Sequence, residues 1–371
     1  MSNTKQVLFL CSYQSPYGGN FIPSLIALEK ELEKRGAKCT YVFPLKAQER
    51  YWFKELSKKA HVLTLDFSLG KGKFIRSLSR IIQEYKVNII YSHFGKMIET
   101  EVVCLLHANV YGVGHIHSDF SMGQKSFKET LFRLVCYRLL AYKMRFISVS
   151  PGFIEYNPKK VSFIANALAT ERIIGNNHID GSVLRKSLGI SEDTVLCEVF
   201  GWTPDVKGVD IAVKAVGSVN EICENKVKLA IICGVAVGKK EMKEYVCSHT
   251  TYTGEEFIYY LEPTEDVFSY HEASDILLMT SRSEGFPYAL LEMMSLGKKA
   301  VVSNLPGTKW CSNYPNTFLF NRENIKECRD CLIQAINAQN KSNEQTIQQI
   351  KERFSIEIWA NKVAKVLLDN Q

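Results

Sequence analysis

Short apolar runs alternate with longer amphipathic segments along most of the chain. Each short run, bounded by turn residues, predicts a buried strand, and apolar residues at helical spacing predict a helix. The predicted strands cover residues 7–11, 39–43, 62–65, 88–92, 114–117, 146–150, 161–165, 195–200, 229–233, 257–261, 276–280 and 300–303. The predicted helices cover 21–35, 74–86, 98–111, 124–145, 209–219, 286–296, 323–337, a segment from 343, and 356–368. This alternation predicts an α/β fold with parallel, doubly wound sheets.

The densest pattern of candidate chemistry lies between residues 276 and 307. The predicted strand 276–280 leads through Glu284 into the predicted helix 286–296, which Gly297 ends. Glu284 therefore lies in a strand-to-helix turn, and in α/β sheets ligands bind at the carboxyl ends of strands. We expect a binding site at this turn.

The residue types around Glu284 indicate the class of ligand. Backbone N–H groups of Gly285, Phe286 and Tyr288 at a helix N-terminus favour a diphosphate. In a continuous helix at 1.5 Å per residue, the carboxylates of Glu284 and Glu292 lie roughly 12 Å apart. Carboxylates accept hydrogen bonds from hydroxyl groups, so they suit a sugar or a ribose on either side of that diphosphate. The pattern predicts a nucleotide-sugar site.

Two further turns carry glycine. Gly18 and Gly19 lie between the first strand and the first helix, where glycine lets the backbone approach a ligand or simply forms a tight turn. Their spacing is not that of a dinucleotide fingerprint. After the strand 195–200, the chain continues Gly-Trp-Thr-Pro-Asp-Val-Lys-Gly. Lys207 in that second turn is placed to meet a diphosphate as a compact charge.

Histidines follow two predicted strands of the first half of the chain. His93 follows the strand 88–92, and His115 and His117 lie at the end of the strand 114–117. Packed or surface histidines are the commoner outcome at such positions. A metal site formed by His115, His117 and Asp119 is a second alternative.

The run S-x-x-E-G-F-P-x-x-L-L-E-x-x-x-x-G, from Ser281 to Gly297, resembles the E-x7-E signature of the GT-B glycosyltransferases, and specifically of the large retaining family 4. The resemblance implies two Rossmann-like doubly wound domains facing a central cleft, with a C-terminal helix that crosses back to the first domain. Residues 1–172, with the helix 356–371, are then the acceptor-binding domain. Residues 173–355 are the nucleotide-sugar-binding domain.

The same resemblance implies roles for individual residues. Glu284 binds sugar hydroxyls, Glu292 the ribose and Lys207 the diphosphate. His117, in the position of a family histidine, contacts the donor sugar or the leaving phosphate, while His115 is placed on the opposite face of its strand. The rest of the implied donor-binding set is Gly18, Gly19, Gly201, Gly285, Phe286, Pro287 and Leu291, with further possible positions at Asp119, Asn166 and Trp202. Trp202 or Thr203 stands where many members of the family have an arginine.

Composition and charge add an expectation about location. The chain has 371 residues, a net charge of +7 and 11 scattered cysteines, which fit reduced thiols in the cytoplasm. Residues 1–170 carry 24 Lys and Arg against 12 Asp and Glu, a net charge of +12, whereas the remainder carries 22 against 27, a net charge of −5. Basic and aromatic residues mix in 71–86 and 124–145, a composition suited to an anionic membrane surface. We expect a cytoplasmic protein, peripheral on the inner face of the plasma membrane.

Together these observations predict a retaining glycosyltransferase that moves a sugar from a nucleotide-sugar to a lipid-linked glycan in bacterial surface polysaccharide assembly, such as capsule. Because the chain has no Asp-x-Asp motif, we expect no cofactor and no obligatory metal. Two alternatives stay open, a nucleotide-sugar 2-epimerase and a catalytically impaired partner of an active glycosyltransferase. A nucleic-acid partner is not expected, because no recognisable binding module accompanies the positive charge. The sugar, the base, the acceptor and the oligomeric state cannot be read from the sequence.

Overall fold

The computed structural model describes residues 4–118, 142–151, 160–174, 180–222, 227–254, 256–339 and 344–369. The chain divides into two compact units. The first consists of Met1–Ala167 together with Phe354–Gln371, and the second is Leu168–Arg353.

The first unit is built on a parallel sheet of seven strands in the order β3-β2-β1-β4-β5-β6-β7. The strands are β1 (Gln6–Cys11), β2 (Lys38–Pro44), β3 (Val62–Leu65), β4 (Ile89–His93), β5 (Tyr111–Ile116), β6 (Met144–Ser148) and β7 (Val161–Phe163). Its described helices are Phe21–Lys34, Tyr51–Ser57, Lys71–Glu84, Met97–Leu106 and Ile356–Leu368. The parallel sheet confirms the predicted α/β class.

Sequence periodicity explains how this sheet is covered. All five residues of β4 are buried, as expected for a central parallel strand with helices on both faces. The helix Lys71–Glu84 buries Phe74, Leu78 and Ile82 along one stripe, and these side chains pack against Leu8, Leu10 and Ile90 of the central strands. Its basic residues point to solvent.

The second unit is built on a parallel sheet of six strands in the order β10-β9-β8-β11-β12-β13. The strands are β8 (Val195–Phe200), β9 (Val227–Ile232), β10 (Ile258–Leu261), β11 (Ile276–Met279), β12 (Lys299–Asn304) and β13 (Thr317–Asn321). Its described helices are Glu171–Ile174, Gly181–Ser187, Pro204–Lys207, Val209–Asn220, Lys239–His249, Val267–Ala273, Tyr288–Ser295, Ile325–Asn337 and Glu344–Arg353. In both sheets the first four strands stand in the order 3-2-1-4, with later strands added beyond the fourth, which is the arrangement of the Rossmann fold.

Several boundaries differ from the sequence prediction. The predicted helix 98–111 ends at Leu106, and Tyr111 already begins β5. The strand β13 and the helices Tyr51–Ser57 and Lys239–His249 were not predicted. The helix predicted at 286–296 begins at Tyr288, because Pro287 adopts an extended backbone at the N-cap position.

The C-terminal helix Ile356–Leu368 packs within the first unit. Tyr111 donates its hydroxyl hydrogen to the carbonyl oxygen of Leu367 at 3.1 Å, and the Asn361 side-chain amide donates to Glu31 at 3.3 Å. The helix predicted at 356–368 is confirmed with the same bounds. Among the described residues, no helix is both long and apolar enough to cross a membrane.

Candidate functional site

Glu284 lies where it was predicted, in the turn between β11 and the helix Tyr288–Ser295. The delayed start of that helix changes two expectations. Gly285 and Phe286 precede the helix, so of the three predicted amides only that of Tyr288 belongs to its first turn. The separation of about 12 Å assumed one continuous helix from Glu284 to Glu292, and that assumption is wrong.

Lys207 and Glu284 meet although they lie 77 positions apart in the sequence. The Lys207 ammonium donates to Glu284 Oε1 at 2.6 Å, and the Ser281 hydroxyl donates to the same oxygen at 2.6 Å. Both charged groups are largely buried, with side-chain exposures of 13% and 9%. A lysine and a glutamate that the sequence assigned to one site therefore form a paired, partly desolvated centre.

The backbone around Lys207 is fixed against the end of β11. Lys207 ends the one-turn helix Pro204–Lys207, and Gly208 follows with a left-handed φ of 63°. A β-carbon at Gly208 would clash with the carbonyl oxygen of Thr280, so this close approach requires glycine. The Thr280 hydroxyl hydrogen-bonds the carbonyl oxygens of Lys207 at 3.0 Å and Gly208 at 2.8 Å.

Trp202 adds an exposed aromatic face to this centre. The Lys207 ammonium lies 4.9 Å from the centre of the Trp202 ring, within the range of a cation–π contact. The Trp202 side chain is 54% exposed. Gly201, which the sequence placed in the donor set, precedes it at the end of β8 and is buried. The indole of Trp202 is therefore an exposed ring next to a largely buried, paired ammonium.

Each carboxylate oxygen of Glu292 contacts a basic side chain. The Arg172 guanidinium donates to Oε1 at 3.2 Å, and His271 Nε2 lies 3.2 Å from Oε2. Glu292 is 4% exposed. Neither Arg172 nor His271 was identified from the sequence, and both now belong to the candidate site.

A third acidic residue, Glu198, contacts the other side of the His271 ring in the interior of the second unit. His271 Nδ1 lies 2.5 Å from Glu198 Oε1, and the side chains of both residues are wholly buried. Burial alone lowers the pKa of a histidine, but the carboxylates of Glu198 and Glu292 outweigh it and raise the pKa of His271 to about 10. His271 is therefore an imidazolium at neutral pH, and it donates hydrogen bonds to both glutamates. We call Glu198, His271 and Glu292 the Glu–His–Glu relay.

A sequence signal for this relay existed. Glu198 interrupts the apolar strand β8, in the run Val-Leu-Cys-Glu-Val-Phe, and a carboxylate in a buried strand needs a cationic partner. The identity of that partner was not readable, because His271 lies 73 positions away.

Arg282 lies in the turn that contains Glu284, and its guanidinium binds acidic side chains. Its guanidinium binds Asp210 through two hydrogen bonds of 3.0 Å and contacts Glu323 at 3.0 Å. The Asp210 hydrogen bonds raise the pKa of Arg282 further. These contacts anchor the turn to the helix Val209–Asn220 and leave Lys207 as the cation directed at Glu284.

The other predicted residues of this turn have packing roles in the structure. The Phe286 ring stacks on Trp310 with centres 4.6 Å apart, and the Leu291 side chain is fully buried. A β-carbon at Gly307 would clash with the carbonyl oxygens of Glu284 and Gly285, so this glycine permits the turn to close. The predicted contacts of Phe286, Leu291 and Pro287 with a donor stay predictions.

In the first unit, Gly18 and Gly19 lie in the predicted turn before the helix Phe21–Lys34. Gly19 has a left-handed φ of 53°, which favours glycine, and a β-carbon there would meet open space. The Trp52 indole donates to the carbonyl oxygen of Ser15 at 2.9 Å and so braces the turn. Asn166, a weaker sequence match, is buried near the end of the first segment of this unit. Asp119 lies outside the described residues.

His117 is joined by two other histidines. His93 Nδ1 lies 2.9 Å from His117 Nε2, and the rings of His115 and His117 stack with centres 4.3 Å apart. The placement of His115 on the opposite face from His117 is wrong, because residues two apart in a strand point to the same face. Desolvation lowers the pKa of all three imidazoles, to about 3 for His117, so they are neutral at neutral pH.

Comparisons with known proteins agree with this architecture. Residues 182–353 match the family model described as glycosyl transferases group 1. Two solved structures align over nearly their full lengths. A glycosyltransferase from Rickettsia africae ESF-5 has a TM-score of 0.77 at 13% identity, covering 100% of both chains. Anabaena Alr3699/HepE in complex with UDP has a TM-score of 0.76 at 20% identity, covering 98% of this chain and 100% of that one.

The chain has the GT-B glycosyltransferase fold. At these identities the structures show the fold alone. Among curated proteins, the O-antigen biosynthesis glycosyltransferase WclY of Escherichia coli is 26% identical over 122 residues. That alignment covers 33% of this chain, and it spans about a third, 32%, of the length of the relative. Glu198, Lys207, His271, Glu284 and Glu292 all lie within the segment that matches the glycosyl transferases group 1 model.

Proposed function

We propose that the protein is a retaining glycosyltransferase whose second unit binds a nucleoside diphosphate sugar. The observation that carries the proposal is the Lys207–Glu284 pair, whose charged atoms lie 2.6 Å apart, with the Lys207 ammonium 4.9 Å from the centre of the Trp202 ring. A cation for phosphate and a carboxylate for hydroxyl groups lie side by side at the carboxyl end of a parallel sheet. A diphosphate joined to a sugar presents these two chemistries next to each other.

The Lys207–Glu284 pair also suggests how the nucleotide-sugar donor binds. A diphosphate carries more negative charge than one carboxylate, so it competes with Glu284 for the Lys207 ammonium. Glu284 is then released to accept hydrogen bonds from sugar hydroxyls. During transfer, negative charge grows on the leaving diphosphate, and a preorganised lysine stabilises that charge without a metal ion.

Glu292 suits the ribose of the nucleotide. Its carboxylate is oriented by hydrogen bonds from Arg172 and from His271. An ionised carboxylate only accepts hydrogen bonds, so it is a group that ribose hydroxyls recognise. Because the Glu–His–Glu relay is buried, the carboxylate is held in place before the ligand arrives. Such preorganisation reduces the entropy lost on binding.

The related proteins support the choice of substrates. Structures similar to this chain include Anabaena Alr3699/HepE with UDP-glucose, and WaaG, a glycosyltransferase involved in lipopolysaccharide biosynthesis. With the O-antigen relative WclY, they support a nucleotide-sugar donor and a role in the assembly of a bacterial surface polysaccharide. The lipid-linked form of the acceptor stays a prediction from the sequence. We assign acceptor binding to the first unit, as the sequence resemblance implies.

A transfer assay in excess EDTA tests the proposed reaction. The protein, supplied with a nucleotide-sugar and glycan acceptors, should form glycosylated product at an unchanged rate in EDTA, because Lys207 and backbone amides neutralise the diphosphate. Complete loss of transfer that magnesium restores would contradict this. Turnover of the donor without any acceptor, with inversion at its second carbon, would instead favour the 2-epimerase alternative.

The lipid-linked acceptor leads to a prediction about membranes. Lys73, Arg76 and Arg80 lie on one exposed face of the helix Lys71–Glu84. We expect the protein to sediment with vesicles that contain anionic lipid, and binding to weaken as salt rises because exposed charges are screened. Changing these three residues to Glu should reduce the bound fraction severalfold.

A matched control comes from the second unit. Lys239, Lys240 and Lys243 form a comparable exposed basic patch on the helix Lys239–His249, and changing them to Glu alters the net charge equally. This control variant should sediment like the wild type. Equal partition onto neutral and anionic vesicles, or binding to neither, would favour an acceptor that is free in solution. Lys128, Arg133 and Arg138, in the second basic stretch, lie outside the described residues.

A further inference from the structure

Three imidazoles converge at the carboxyl ends of two neighbouring strands in the first unit. His93 is the last residue of β4, and the strand register places it directly opposite His115 of β5. His117 lies two residues further on the same face. One ring nitrogen of each histidine lies within 4.8 Å of the others.

We propose that His93, His115 and His117 bind one divalent transition-metal ion of the zinc type, each through one ring nitrogen. Neutral imidazole is a ligand for Zn²⁺, Ni²⁺, Co²⁺ and Cu²⁺, whereas Mg²⁺ and Ca²⁺ prefer oxygen ligands. Three histidines leave a fourth position of a tetrahedral zinc ion for water or another ligand.

Unsatisfied polar atoms are the first support for this site. Nε2 of His93 and Nε2 of His115 are buried, and neither has a hydrogen-bond partner within the part of the chain that the structure describes. A buried polar atom without a partner is costly and calls for an explanation. Without an ion, both nitrogen atoms stay unsatisfied. An ion bound to His115 Nε2 gives that atom a partner.

Tyr91 gives the second support. Its hydroxyl lies 2.6 Å from Nδ1 of His115, a buried hydrogen bond that fixes the orientation of the ring. Metal-binding histidines usually make such a bond through the nitrogen that does not bind the ion. With a proton on Nδ1 shared with Tyr91, the lone pair of His115 is on Nε2, the nitrogen that has no other described partner.

One of the nitrogen–nitrogen distances is close to that of a zinc site, and the others lie within 4.8 Å. Two nitrogen ligands at about 2.0 Å from a tetrahedral zinc ion lie about 3.3 Å apart. His93 Nδ1 and His117 Nε2 are 2.9 Å apart, so these two rings need only spread slightly. His115 and His93 are fixed by the hydrogen-bonded sheet, and Phe94 stacks on His117 at 4.2 Å. The stacked rings of His115 and His117 must turn toward each other for their nitrogens to share one ion.

Zinc binding by the full-length protein tests the proposal. After removal of metal with a chelator and re-addition of Zn²⁺, the wild-type protein should take up one equivalent that His115→Gln does not, measured by elemental analysis after gel filtration. Tyr91→Phe should weaken zinc binding by about 10–100-fold, which is typical when a residue that hydrogen-bonds a metal ligand is removed. His249→Gln, an exposed histidine in the second unit, should bind zinc like the wild type.

Cobalt distinguishes this site from the cysteines of the chain. Co²⁺ in place of zinc should show the visible bands of a tetrahedral ion without the charge-transfer band of a thiolate ligand. If His115→Gln does not fold, the Tyr91→Phe affinity and the cobalt spectrum decide the question. The proposal is overturned if the metal-free wild type takes up no zinc, if Tyr91→Phe binds it as tightly, or if the spectrum shows sulfur ligands. These readouts are made without donor, whereas the EDTA test scores a loss of transfer that magnesium restores, so the two tests succeed or fail separately.

Discussion

Glu284→Ala should lower the turnover number for sugar transfer roughly 100-fold while changing the Michaelis constant for the donor only a few-fold. The proposed partner of Glu284 is the reacting sugar, so its hydrogen bonds matter most as charge develops during transfer. In the variant, the Lys207 ammonium loses its carboxylate partner and stays available to the diphosphate. Steady-state kinetics with varied donor separate the two constants.

Glu244→Ala provides the control for that experiment. Glu244 is an exposed carboxylate on the helix Lys239–His249 of the same unit, so its removal changes the net charge equally. We expect wild-type kinetics for this variant. If Glu284→Ala kept full turnover, or lost donor binding with turnover unchanged, the assignment of Glu284 to the reacting sugar would be wrong.

His271→Gln should destabilise the protein by about 3–5 kcal/mol at neutral pH. The substitution leaves Glu198 in a fully buried position without its cationic partner, and breaking a buried ion pair by removing one partner typically costs that much. Urea unfolding of the second unit measures the loss. The double variant Glu198→Gln with His271→Gln should regain much of it, because no uncompensated buried charge remains.

The relay also predicts a dependence on pH. The pKa of His271 is raised from about 6.5 in the unfolded chain to about 10, so its contribution to stability is fully present below about pH 6.5 and is lost as the pH rises through 10. The free energy of unfolding of the wild type, relative to His271→Gln, should therefore fall between pH 7 and pH 10. A difference that stayed constant across this interval would mean that His271 is not charged in the folded protein.

The parts of the site that are formed by residues close together in the sequence were predicted from local sequence features. Glu284 was placed in a strand-to-helix turn because an apolar run, a Gly-Phe-Pro sequence and a helical period follow one another within a short segment. The start of the helix was misplaced for a local reason too, since Pro287 caps the helix instead of entering it. The first residue of a helix depends on backbone angles, and the residue type restricts these angles without fixing them.

Contacts between distant residues could not be predicted in the same way. Arg172 and Glu292 lie 120 positions apart, and only the fold brings their side chains within 3.2 Å. His271 occupies a helix whose sequence gives no sign of a site. The register of β4 against β5, which brings His93 beside His115, likewise comes from the sheet and not from either segment.

The error over His115 has a different origin. The alternation of side chains along a strand places residues two apart on one face, and this rule was available from the sequence. Its correct use would have grouped His115 with His117, although the contribution of His93 still required the strand order.

Calorimetric titration with nucleoside diphosphate sugars tests the central claim most directly. The wild type should bind at least one member of a panel that varies the base and the sugar. Lys207→Ala and Glu292→Ala should each weaken that binding about 10–100-fold, because each removes a charged hydrogen-bonding group worth about 1.5–3 kcal/mol. Absence of binding by the wild type to every donor, or wild-type affinity in both variants, would contradict the assignment of this site to a nucleotide-sugar.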